Sequence, residues 1–92
     1  MSETTIDEQF DEYIIIYRGL INKISDHNSI KIYAYFKQAR EGNVNFERPS
    51  ILNTYLLNRW KAWKKLEYMS SENAKKCYIK LIKEIIDSSP VS

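Results

Sequence analysis

Apolar residues in this chain return every three or four positions, in four separate stretches, and that period suits helices rather than strands. The first stretch carries Ile6, Phe10, Tyr13, Ile14, Tyr17, Leu20 and Ile21 along one side. Thr5 and Glu8 stand at capping-box spacing where it begins. Ile15 points away from that stripe, and nothing in the sequence accounts for it. A second segment starts after Ser25 or Asp26 as N-cap and runs to about Glu41, where Gly42 suits a left-handed C-cap. The stretch "NVNFERPS" that follows reads as a loop, punctuated by Asn45 and Pro49. The third segment places Leu56, Trp60 and Trp63 in one stripe, with Arg59 on its flank. In the fourth, Ser70 is a good N-cap and Glu72 falls in the first turn. Its stripe is Ala74, Cys77, Tyr78, Leu81, Ile82 and Ile85, with Lys76, Lys80 and Lys83 facing away. Only two Gly and two Pro are present, which leaves little scope for linkers or β-turns. The expectation is an all-α chain, one domain over residues 1–92, with helices over roughly 6–21, 26–41, 54–67 and 70–87.

Bulk properties narrow the function by exclusion. A net charge of +2 is too mild to argue for nucleic acid. One cysteine allows no intrachain disulfide and fits a reducing compartment. No apolar run approaches the roughly 20 residues of a membrane helix, so stable membrane insertion is not expected. The start, "MSETTIDEQFDEY", is acidic and lacks the basic and apolar regions of a secretory signal. A cytoplasmic location is the default. Catalysis has little to stand on. His27 is the sole histidine, and Cys77 lies at a helical core position far from it in sequence. One His and one Cys fall short of a metal site, and no Gly-rich phosphate loop is present. The chain is expected to be no enzyme and to need no cofactor.

Binding has more support. On a regular second helix, Ile32, Tyr35 and Ala39 share one face, an ordinary core stripe. Tyr33, Phe36, Lys37 and Arg40 share another, within about 100° of arc. A solvated face has little need of Tyr and Phe, and a core face does not want Lys and Arg. Rings mixed with fixed cations suit a planar, anionic ligand. Arg59 beside Trp60 and Trp63, and Tyr78 in the middle of the last stripe, extend the same chemistry. Each residue taken alone also fits a bland role, as a core ring or a solvated cation.

Two longer stretches carry a resemblance. "YAYFKQAREGNVNFERPSIL" and "RWKAWKKLEYMSSENAKKCYIKLIKEI" resemble the acyl-CoA-binding protein family, without gaps from about Phe10 to Ile86. The distinctive parts are Tyr-x-x-aromatic-Lys-Gln-Ala, Gly-Asn-Val-Asn-x-Glu-Arg-Pro, basic-Trp-x-Ala-Trp and Ser-x-Glu-x-Ala-x-x-x-Tyr-Ile. The resemblance implies an up-down-down-up four-helix bundle. It also implies a monomeric carrier or buffer of long-chain acyl-CoA that does no chemistry on its ligand. By resemblance, Tyr33 bonds the phosphate region, Phe36 stacks near adenine and Lys37 pairs with the 3′-phosphate, with Ala34 and Tyr35 in the same ligand-contacting segment. Arg59 and Arg18 take the places of lysines near the head group, and Tyr78 matches a tyrosine of the last helix that joins the cluster. Such a head group carries roughly four negative charges, which charge-assisted bonds from Lys and Arg hold well. Several positions depart from the family pattern. Tyr55 stands where many members have a lysine, and Leu56 and Leu57 replace a Gly and a Lys. Ser29 replaces a groove-lining Met, Ile14 a small residue, and Arg40 is an extra cation. Ile14, Ser29 and Ile30 are therefore the residues expected to shape the acyl groove. The alternative reading, resting on Tyr55 and Ser29, is a degenerate member that serves as a protein–protein interaction module.

Overall fold

The computed structural model describes residues 5–88. Within it lie four helices: α1 (Ile6–Leu20), α2 (Asp26–Glu41), α3 (Thr54–Lys64) and α4 (Ser71–Ser88). Each begins on a side chain that accepts from an otherwise orphaned backbone N–H. Thr5 Oγ1 accepts from the Glu8 amide at 3.1 Å, and Ser25 Oγ from that of Asn28 at 3.2 Å. Asn53 Oδ1 and Ser70 Oγ do the same for Leu56 and Asn73. Ser25, not Asp26, is thus the cap of α2.

The ties between helices fix their directions. Asp7 at the start of α1 pairs with Lys75 at the start of α4, at 2.5 Å, so these two run parallel. Ser71 Oγ, at the start of α4, donates to the Ala39 carbonyl near the end of α2, at 2.7 Å, so these run antiparallel. Trp63 Nε1, at the end of α3, donates to the Gly42 carbonyl past the end of α2, at 2.8 Å, so α2 and α3 run parallel. The order is up, down, down, up. Helix α2 packs against both α3 and α4, and α1 packs against α4. The core between α1, α2 and α4 holds Phe10, Ile32, Ala39, Tyr78, Ile79 and Ile82. There the Phe10 ring meets Tyr78 edge-on at 5.0 Å.

Four features differ from the sequence expectation. Helix α1 ends at Leu20 rather than Ile21, and the chain tightens into a 3₁₀ turn over Ile21–Lys23 before Ile24 extends toward the α2 cap. Helix α3 ends at Lys64 rather than Glu67. The bonds of Leu66 to Trp63 and Glu67 to Lys64 have shortened to i→i+3, and Asn43 Oδ1 captures the Tyr68 amide at 2.6 Å while Tyr68 adopts a φ of 73°. The buried face of α3 is set by Leu57 and Trp63, with Leu56 and Trp60 only half-buried, so the helix is turned relative to the expected stripe. Gly42 has the positive φ foreseen for it, 77°, but its ψ of −146° lies outside the left-handed helical basin. Only glycine adopts that region readily.

Candidate functional site

Helices α1 and α2 both lean on α4 and barely on each other, and a groove of about 320 Å³ opens between them. Ile14, Tyr17 and Arg18 enter it from α1, Tyr33 and Phe36 from α2, and Tyr78 from α4. Its apolar half is completed by Ile21 and Ile32. Five of the residues singled out in the sequence therefore meet here: Ile14, Arg18, Tyr33, Phe36 and Tyr78. Tyr78 is buried, and burial, reinforced by the nearby Tyr17 phenol and opposed by Arg18, pushes its own phenol far above the usual range. It stays a neutral donor at any working pH. Phe36 lies 6.1 Å from Phe10 and 6.3 Å from Tyr78, ring centre to ring centre, with the Arg40 guanidinium 5.4 Å away. One side of this aromatic platform is thus packed and the other carries a cation.

One turn beyond Tyr33, Lys37 points across α2 toward α3. Its ammonium lies 5.9 Å from the Tyr33 ring and 5.4 Å from that of Trp63. It forms an ion pair with Glu41 one turn on. Hydrogen bonds from Lys37 and then Asn45 hold the Glu41 carboxyl below the usual carboxylate range, against a smaller opposing effect of burial. Trp63 is fully buried, fixed by bonds from its Nε1 to Gln38 Oε1 and to the Gly42 carbonyl. Gln38 in turn donates to Asn43 Oδ1 and to the Met69 carbonyl at 2.9 Å. This polar knot sets the height of α3 against α2, and so the position of everything that α3 carries.

Arg59 lies on α3, one turn before Trp63. Its guanidinium stacks on the Tyr55 ring, 3.7 Å from the centroid, and Nη1 donates to the Tyr55 carbonyl at 3.2 Å. The two form a platform outside the groove, with Tyr55 exposed and Arg59 half-buried. Four other expected site residues take different places. Ile30, Ala34 and Tyr35 line a separate cavity on the α3 side of α2. Burial raises the Tyr35 phenol, and Cys77 and Glu84 add to the shift. Ser29 is half-buried near the start of α2 and lines neither hollow. Tyr17 as a groove residue and Glu41 as the partner of Lys37 are not among the residues expected from the sequence. Both were signalled by spacing, Tyr17 at i+3 from Ile14 and Glu41 at i+4 from Lys37. Among the described residues no cluster of His, Cys, Asp and Glu could hold a metal ion, and no helix is long and apolar enough to cross a membrane.

Known proteins share this fold. The family model described as Acyl CoA binding protein matches residues 7–82. Acyl-CoA-binding protein homolog 3 of Caenorhabditis elegans is 33% identical over 87 residues, covering 90% of this chain and 75% of its own length. Acyl-CoA-binding domain-containing protein 2 of Oryza sativa subsp. japonica is 32% identical, covering 95% of this chain and 96% of its own. The crystal structure of Oryza sativa acyl-CoA-binding protein 2 superimposes with a TM-score of 0.84 at 33% identity, covering 89% of each chain. A second crystal structure of this kind, from Moniliophthora perniciosa, gives 0.87 at 28% identity, covering 99% of this chain and 89% of its own.

Proposed function

The chain belongs to the acyl-CoA-binding protein family, whose members bind ligand and are not enzymes, and from that premise we propose that it is a monomeric cytoplasmic carrier of long-chain acyl-CoA. The observation that carries the reading is the groove, where three helices bring Arg18, Tyr33, Phe36 and Tyr78 around one opening beside an apolar strip. In this reading Tyr33, Arg18 and Tyr78 supply donors to phosphate oxygens, and Phe36 and Arg40 sandwich the adenine edge. Lys37 leaves Glu41 for the 3′-phosphate, and Arg59 swings from Tyr55 to the same region. The Arg59 platform supports this role because a stacked guanidinium keeps its outer N–H donors free.

The acyl chain follows Ile14, Ile21 and Ile32. A methylene removed from water is worth about 0.8 kcal/mol, so a palmitoyl chain with roughly 14 of them has about 11 kcal/mol of gross burial available. Association and ordering costs reduce that sum. It still exceeds what a few half-exposed phosphate contacts supply, so the ester binds far more tightly than free CoA. Calorimetry with palmitoyl-CoA and with free CoA tests this. Equal affinities would remove the acyl role of the groove, and no binding of either would leave the protein-interaction module as the reading.

A further inference from the structure

Just before α3 the chain turns over Ser50–Asn53, the Asn53 amide donating to the Ser50 carbonyl at 2.9 Å. The two central positions of such a turn normally go to Gly, Pro, Asn, Asp or Ser. Here they are Ile51 and Leu52, 75% and 91% exposed. The turn is braced on both sides. Ser50 Oγ accepts from the Leu52 amide at 3.1 Å, and Asn53 caps α3. Trp60 Nε1 donates to the Phe46 carbonyl at 3.0 Å, which ties the incoming loop to the helix. Two adjacent aliphatic side chains are thus held out into solvent on a fixed tip.

Charge is segregated in the same segment. Residues 48–66 include Arg48, Arg59, Lys61, Lys64 and Lys65 and no Asp or Glu. They carry +5 in a chain whose net charge is +2, which leaves −3 for all the other residues. Glu47 and Glu67 bound the run. Among the described residues, Lys64 is the one cation of the five with a carboxylate partner, Glu67 at 2.6 Å. Arg48, Lys61 and Lys65 are exposed. A nucleic acid would use these cations but has no use for two bare aliphatic side chains. A soluble apolar ligand would use the aliphatic pair but not the cations around it.

We propose that this turn and the basic side of α3 dock on the surface of an anionic phospholipid bilayer. Ile51 and Leu52 enter the interface, and Arg48, Lys61 and Lys65 lie among the lipid phosphates. The contact is peripheral and reversible. Two side chains are too little apolar surface to anchor a protein, and the cations supply the second attraction that such binding needs. Docking requires no acyl-CoA and stands whether or not the groove binds one. Tyr55 and Arg59, assigned to the head group, are left out of the test.

The test is flotation of the full chain, free of acyl-CoA, with two kinds of vesicle at several salt concentrations. One kind is phosphatidylcholine alone, and the other adds phosphatidylserine as the minor lipid. The chain is expected to float with the mixed vesicles at low salt, to leave them as salt rises, and to bind phosphatidylcholine only weakly. The pair Ile51→Asp and Leu52→Asp, confined to exposed turn positions, should lower mixed-vesicle binding by roughly tenfold or more. Arg48→Gln, Lys61→Gln and Lys65→Gln should each lower it by about fivefold. Ile15→Asp, at a comparably bare position on α1, should leave it unchanged, and thermal unfolding confirms that each variant folds. The proposal is overturned if the native chain ignores the mixed vesicles, binds phosphatidylcholine as tightly, or loses as much through Ile15→Asp. It is equally overturned if the glutamine changes abolish binding while the aspartate pair does not, since the face would then be a site for polyanions in general.

Discussion

Lys37 is the side chain that the proposed site would share between fold and ligand. Its charge is satisfied by Glu41, and its ammonium rests between the Tyr33 and Trp63 rings. An incoming phosphate must compete with that carboxylate. Replacing Lys37 by Ala should weaken palmitoyl-CoA binding by about 1.5–3 kcal/mol, the worth of a hydrogen bond to a charged group, and leave the melting temperature nearly unchanged. Calorimetry paired with thermal unfolding checks both halves. The same pair makes a prediction in pH. The folded state holds the Glu41 carboxyl below its ordinary value of 4.5, so its contribution to stability is present above that value. It is lost as pH falls through the lower, folded-state value. The stability difference between the native chain and Glu41→Gln should therefore be small at neutral pH, since Glu41 is exposed and Lys37 only half-buried, and should vanish in acid. A difference that grows on acidification would reverse the assigned direction. At this scale spacing revealed part of the site. The facing of Tyr33, Phe36 and Lys37 follows from helix geometry alone, but the meeting of Arg18, Tyr33 and Tyr78 needs three helices packed together. Only the family resemblance suggested it.

At the scale of elements, the helices were legible and their rotations were not. Caps such as Thr5, Ser25 and Ser70 act on neighbours three residues away, so sequence alone locates them. The α3 face depends on what α3 meets. It packs on α2 alone among the main helix pairings, through Leu57 and Trp63, and a short helix bearing two tryptophans offers more than one plausible stripe. Gln38 was hidden for a different reason. A glutamine reads as a surface residue, yet this one is 1% exposed because Trp63, Asn43 and the Met69 carbonyl saturate its amide. Gln38→Leu keeps the bulk and removes the bonds. The Met69 carbonyl then loses its side-chain donor, and Trp63 Nε1 keeps only Gly42. The expected loss is about 1–3 kcal/mol in denaturant unfolding, with a further loss of ligand affinity as α3 shifts. A loss below a few tenths would show that the knot is not what sets α3.

The molecule as a whole is thin, 48 × 33 × 16 Å, little more than one helix diameter in its shortest direction. Such a body cannot bury a nucleotide deeply, so any charged head group stays near solvent and its contacts are screened. Between roughly 0.05 and 0.5 M salt the screening length falls from over 10 Å to a few Å, and palmitoyl-CoA affinity should decline across that range. The acyl contribution should hardly change, so free CoA should lose proportionally more. Titrations at several salt concentrations would show this, and a flat response would mean that the chain alone drives binding. Thinness also explains exposed apolar residues that periodicity left unexplained. Ile15 is 66% exposed on α1 because there is no further layer for that face to meet.

The buried indole of Trp63 has an optical consequence. Two hydrogen bonds from its Nε1 hold the ring in one orientation, with an ammonium 5.4 Å from its centre and no contact with water. Its emission wavelength is therefore set by the local electric field rather than by solvent relaxation. An anion that settles on Lys37 alters that field without touching the ring. With Trp60 changed to Phe to leave a single tryptophan, adding palmitoyl-CoA should displace the indole emission band, and the displacement should disappear in Lys37→Ala. The chain would then carry its own unlabelled gauge of head-group occupancy, built from a residue whose first duty is to hold two helices together.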